Sequence, residues 1–239
     1  MPIANSSYEI INLKLQSLKT SCAPLREKRD EYVFSALCIK SNIYKNPALT
    51  LLDSDFEEMI VDGQYDGGVD ILLTDPSSEE GDLVIAQSKY YSTISAEEVT
   101  NALAKMVTFY QEMELGHYEV VNPTVQRKYL SLRAEMGDEA KIQFVLYTSA
   151  PKARIQQARI IERVSRQLSD ADRFEFKIYF GKDIEDEIKE SESRRPTVEF
   201  GKVRIDERDN YLMYGDDAAI VNVSAFSIKT LYAIHMNNL

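Results

Sequence analysis

The sequence predicts an α/β fold: a three-layer core in which helices flank a central mixed β-sheet, followed by a small strand-and-helix appendage. Three observations carry this. The run from Gly63 to Tyr90, GQYDGGVDILLTDPSSEEGDLVIAQSKY, reads as a two-stranded hairpin. Farther on, KIQFVLYTSA and RFEFKIYF read as strands with an amphipathic helix between them. Strand, helix, strand implies a right-handed parallel crossover. Ahead of the hairpin, two segments repeat apolar residues at helical spacing.

Each element has its own signal. In YEIINLKLQSLK, Ile11, Leu15 and Leu18 share one helix face. After Pro24 a second helix runs through REKRDEYVFSALCIKSNIY and stops before Pro47. It is apolar around much of its circumference, as a helix packed on a sheet would be. Glu27, Glu31, Phe34 and Cys38 fall along one stripe of it. Ser95 and Glu98 make a capping box, and the helix it starts carries Val99, Leu103, Met106, Tyr110 and Met113 as its buried stripe. A further helix covers Pro123 to Glu135. In PKARIQQARIIERVSRQLSD, Ala158, Ile161, Val164 and Leu168 are expected on one face, with Arg159, Arg163 and Arg166 opposite. The charged stretch KESESRRPT marks a boundary, so residues 1–195 form the main domain and 196–239 an extension. In the extension TVEFGKVRI, YLMYG and AAIVNVS read as short strands, and Ser224 caps a last helix.

Composition narrows the function. With 239 residues the chain holds one full-sized core, and its 44% hydrophobic and 28% charged content is ordinary for a globular protein. No apolar run is long enough to span a bilayer, and PIANSSYE does not read as a secretory leader. Cys22 and Cys38 lack CxxC spacing, and His117 and His235 lack motif partners, which argues against zinc or a disulfide framework. The cytoplasm is the expected compartment. There is no GxxxxGK[ST] loop, no GxGxxG and no GxSxG elbow. The net charge of -11 argues against casual nucleic-acid binding, which runs on Lys and Arg displacing counterions. Arg159, Arg163 and Arg166 break the acidic trend. A solvated face is their plain reading, and a stripe that tracks phosphates is the alternative.

The hairpin carries the chemistry. Side chains alternate along a strand, so Gln87 and Lys89 share a face, and pairing can bring the face of Asp70 beside them. An acid, an amide oxygen and an ammonium on rigid strands suit a divalent metal acting on a phosphate. The competing reading is structural: Asp-Gly-Gly is a common turn, and an edge lysine is commonly solvated. Gln87, inside the apolar run LVIAQSKYY, needs a reason to be there, because unpaired polar burial costs about 1–3 kcal/mol.

The string DGGVDILL followed by VIAQSKY resembles the D…QxK signature of the restriction-endonuclease-like PD-(D/E)XK nucleases, in their Mrr-like branch where glutamine replaces the usual acid. IVDGQYDGGVDILLTD, IAQSKYY and the later AAIVNVSAFSIKTLY together resemble the abortive-infection phage-resistance (AIPR) family. The resemblance implies a restriction-endonuclease-like core and a metal-dependent endonuclease of phage defence, acting on DNA ahead of RNA. It implies that Asp70, Glu31, the Gln87 side-chain oxygen and the Ser88 carbonyl hold Mg²⁺ or Mn²⁺, with Glu27 in reserve for Glu31. Lys89 would orient water or stabilise charge on the phosphoryl oxygens. It also implies a further region downstream, and a homodimer is left open. A catalytically silent copy of the fold, binding nucleic acid or a protein, is the alternative from another class.

Overall fold

The computed structural model describes residues 6–45, 58–152 and 155–193. Its centre is a four-stranded mixed sheet of order β1-β2-β3-β4. Strands β1 (Ile71–Thr74) and β2 (Leu83–Lys89) form the expected hairpin, antiparallel from Ile71 opposite Ala86 to Thr74 opposite Leu83. Strands β3 (Ile142–Thr148) and β4 (Phe174–Tyr179) follow in parallel, with Leu83 opposite Ile142 and Ile142 opposite Phe174. The inner strands are apolar on both sides because both faces of the sheet are covered. On β2, Leu83 and Ile85 face one core and Val84 and Ala86 the other.

Helix α1 (Ser6–Ser21) buries Ile11, Leu15 and Leu18, as their spacing predicts. A 3₁₀ turn at Ala23–Leu25 holds Pro24, and α2 (Asp30–Cys38) then continues into a π-helical turn over Ile39–Ile43. This helix starts four residues later than the sequence suggested, so Glu27 precedes it. Every residue from Val33 to Cys38 is buried.

The capping box at Ser95 and Glu98 starts α3 (Ala96–Glu114), whose predicted stripe from Val99 to Met113 is buried. Helix α4 (Pro123–Glu135) is capped by Asn122, whose Oδ1 accepts from Thr124 N and Val125 N. Helix α5 (Gln157–Ser165) buries Ile160 and Val164, and Ala158 is exposed. The expected stripe is therefore rotated toward Ile160, while Arg159, Arg163 and Arg166 are exposed as anticipated.

A sixth helix, α6 (Gly181–Ser193), was not foreseen, and its last five residues, KESES, fall in the stretch read as a charged boundary. It buries Ile184 and Ile188, and Asp183 accepts from Phe180 N at 2.9 Å at its start. Helices α3, α4 and α5 cover one face of the sheet, and α1, α2 and α6 the other. The extension assigned to 196–239 lies outside the described residues. Among the described residues no helix is long and apolar enough to cross a membrane.

Candidate functional site

The site grows from the point where the chain enters β1. Ile60 bridges to Ile71, and Val61 N donates to Asp70 O, so residues 62–69 leave and rejoin the sheet edge. The detour is tight because Gly67 and Gly68 take φ of +71° and +79°. Asp66 ties it together: Oδ1 accepts from Gly68 N at 2.7 Å and Oδ2 from Gly63 N at 3.2 Å. A Cβ on Gly67 would sit 2.7 Å from the Phe109 ring and 3.1 Å from Val121. Gly67→Ala is therefore expected to destabilise the protein by about 2–3 kcal/mol, from the left-handed backbone plus the clash. Urea denaturation checks it; an unchanged midpoint would mean that the turn relaxes freely.

Tyr65 has a φ of +60°, where a bulky side chain is an outlier, and it is 79% exposed. Asn122 holds this conformation. Its N donates to Tyr65 O at 2.8 Å and its Nδ2 to Gln64 O at 3.0 Å.

The turn brings three carboxylates together. Asp62, Asp66 and Asp70 each place one oxygen within 4.8 Å of the others. Asp70 Oδ2 accepts from Ser88 N at 2.7 Å, taking a place in the strand ladder next to β1. Strand N–H groups lie in the sheet plane, so this carboxylate lies close to that plane rather than out on a face. The Ser88 hydroxyl lies 3.4 Å from the same oxygen and 2.7 Å from Ser35 Oγ of α2. Burial raises the Asp70 carboxyl to about 6, against the lowering pull of the Ser88 N–H and Lys89; Asp62 and Asp66 add to the rise.

Asp62, Asp70, Ser88 and Lys89 border a cleft of about 240 Å³, and Glu31 and Arg29 border it at the start of α2. Arg29 reaches Asp62 Oδ2 at 2.9 Å. Among the described residues, no carboxylate lies within ion-pair distance of Lys89. Glu27 is exposed and does not border this cleft.

Gln87 behaves differently from its neighbours. It follows Ala86, the partner of Ile71, and so lies across from Asp70 in the register. It is 4% exposed and does not border the cleft. A Cβ built on Gly68 would lie 3.7 Å from the Gln87 amide nitrogen, while Oε1 is buried without a hydrogen-bond partner. Three carboxylates and an orphaned amide oxygen are hard donors, the set that suits Mg²⁺ or Mn²⁺.

The structure thus gathers Asp70, Ser88, Lys89 and Glu31 around one cleft and leaves Gln87 buried beside the turn. Asp62, and the carboxylate role of Asp66 beyond its turn bonds, were missed from the sequence. An acid at every fourth position (62, 66 and 70), interleaved with glycine, was the available signal. Arg159 and Arg163 border a separate, open cleft of about 670 Å³ beside the first turns of α3, and Arg166 pairs with Glu162 at 2.6 Å. None of the three borders the Asp70 cleft. Comparison with known proteins finds no family model, no curated protein and no solved structure that matches the chain.

Proposed function

We propose that the chain is a metal-dependent phosphodiester hydrolase, a DNA endonuclease of restriction-endonuclease-like type that serves in phage defence. The observation that carries this reading is the meeting of Asp62, Asp66 and Asp70 within 4.8 Å beside a cleft that Lys89 also borders. Asp70 would be the central ligand, with Asp62 and Asp66 beside it and the orphaned Gln87 oxygen behind. Glu31 and the Ser88 carbonyl complete the donor set that the resemblance implies. A bound Mg²⁺ or Mn²⁺ supplies charge to polarise the phosphodiester and to acidify water. Lys89 offers an ammonium to the charge that develops on the phosphoryl oxygens. Ser88 N–H fixes one oxygen of Asp70, and the Ser35–Ser88 pair braces that contact from α2.

A second reading has an observation of its own. Gln87 is buried and does not border the cleft, which suits a silent copy that binds without cutting. Incubation with single-stranded and duplex DNA and RNA, with Mg²⁺, Mn²⁺ or EDTA, separates the two. The expected result is metal-dependent cleavage that falls by at least about 10²-fold in Lys89→Ala, with an unchanged melting curve. Binding of nucleic acid without cleavage under every metal condition would establish the silent copy instead.

A further inference from the structure

We propose that the cleft takes nucleic acid as a single, unpaired strand, held by its bases on Tyr91 and Tyr65 more than by its phosphates. The inference rests on the phosphodiesterase reading above and names the form of substrate that reading leaves open.

Charge is the first argument. Duplex binding draws its affinity from many Lys and Arg contacts along two phosphate backbones. The chain carries a net charge of -11, and the cations on this cleft are Arg29 and Lys89. Arg29 is already engaged by Asp62, and three carboxylates converge beside them. Phosphate attraction here is too weak to hold a polyanion without another contribution.

The second argument is where the aromatic surface lies. Among the described residues, Tyr65 and Tyr91 are the only phenylalanine or tyrosine side chains that are exposed, at 79% and 44%. Tyr91 borders the cleft directly beside Lys89. Tyr65 does not border the cleft itself but immediately precedes Asp66, one of the three acids clustered beside it.

The third argument is that both are presented rather than merely unburied. Tyr65 sits in a left-handed backbone held by two hydrogen bonds from Asn122. The Tyr91 carbonyl accepts from Ser149 Oγ at 2.8 Å, which anchors the chain just past β2 to the end of β3. A ring carried on a fixed backbone offers a face to any base, and such stacking needs bases freed from a duplex.

The test is fluorescence anisotropy in EDTA, where no cutting occurs, with a labelled 12-nucleotide DNA strand, its RNA counterpart and the matching DNA duplex. The wild-type protein should bind a single strand at least about tenfold tighter than the duplex. The DNA and RNA arms show which backbone the site accepts. Tyr65→Ala and Tyr91→Ala should each lose about five- to a hundredfold, the range of one stacked base, while Tyr65→Phe and Tyr91→Phe keep wild-type affinity. Tyr65→Gly, which relieves the left-handed backbone, gives a second variant if Tyr65→Ala folds poorly. The slope of log K against log salt should be shallower than about -3, where six to ten phosphate contacts would give about -5 to -9. Equal or tighter duplex binding, alanine variants with unchanged affinity, or no binding of any strand would each overturn the proposal. Hydrolysis of bis(p-nitrophenyl) phosphate with Mn²⁺, lost in Asp70→Ala, reads the metal chemistry without any need to hold a polynucleotide strand. Its failure beside intact strand binding sinks the enzyme reading and leaves the stacking one.

Discussion

Asp70→Asn is expected to abolish metal-dependent cleavage and yet raise the melting temperature of the metal-free protein at pH 7. The Asp70 carboxyl, normally near 3.8, is pushed to about 6 in the folded protein by burial and by two neighbouring acids. Between those values the folded state holds more protons than the unfolded state, so stability falls as pH rises from about 4 to about 6. Above pH 6 the loss is complete and the curve flattens. After solvent screening, the ionised carboxylate costs the folded state roughly 1–3 kcal/mol at pH 7. Asparagine keeps an oxygen for Ser88 N–H and carries no charge, so the variant should melt roughly 2–10 °C higher in EDTA. It should also lose the downward slope between pH 4 and 6. A divalent cation reverses the wild-type penalty: at a hundredfold excess over its dissociation constant it adds about 2.7 kcal/mol. Calorimetry of both proteins, with and without Mg²⁺, checks each part. A variant that melts lower in EDTA would show that the charge is not resisted.

The fold was largely legible because its signals were local and periodic. The Ser95–Glu98 box, the helix from Pro123 to Glu135 and the pairing of both strand sets follow from capping chemistry, apolar periodicity and the strand–helix–strand connection. Helix α6 was not, since Ile184 and Ile188 are its only deeply buried aliphatic residues and its last residues, KESES, read as a charged boundary. Helix α5 was found with its stripe rotated, because an alanine satisfies an apolar pattern without being buried. At the site, strand spacing brought out Asp70, Gln87 and Lys89 and the resemblance added Glu31 and Ser88, but neither could show how the turn closes. Asp66 bonds Gly63 and Gly68 across that turn, and only this closure swings Asp62 and Asp66 back toward Asp70. The apolar run foretold a buried Gln87, but not that Gly68 would pack between its amide and Lys105 of α3, which no strand periodicity encodes.

Gln87→Met carries the second large effect. Oε1 of Gln87 is buried without a partner, and an orphaned acceptor costs about 1–3 kcal/mol. Methionine has nearly the same shape and no oxygen to desolvate. The metal-free variant should therefore gain about 1–2 kcal/mol, seen as a later urea midpoint with an unchanged slope. The same change removes a candidate ligand, so the stabilisation given by saturating Mg²⁺ should shrink and cleavage should need more metal. A variant that is more stable yet binds metal as tightly as wild type would exclude Gln87 from the coordination shell.

The sheet order has a consequence for how the molecule is made. The cleft's residues lie between Arg29 and Tyr91, so its hairpin emerges from the ribosome as a unit. Strand β2 is nevertheless an inner strand, and its second partner, β3, ends only at Thr148. At roughly 5–20 residues per second, the backbone edge of Leu83–Lys89 waits on the order of seconds for its neighbour. During that interval the apolar run LVIA stands next to an open ladder, the arrangement that templates intermolecular pairing. The clustered acids Asp62, Asp66 and Asp70 give each emerging hairpin the same negative charge beside that edge, the kind of charge that disfavours pairing between two such edges.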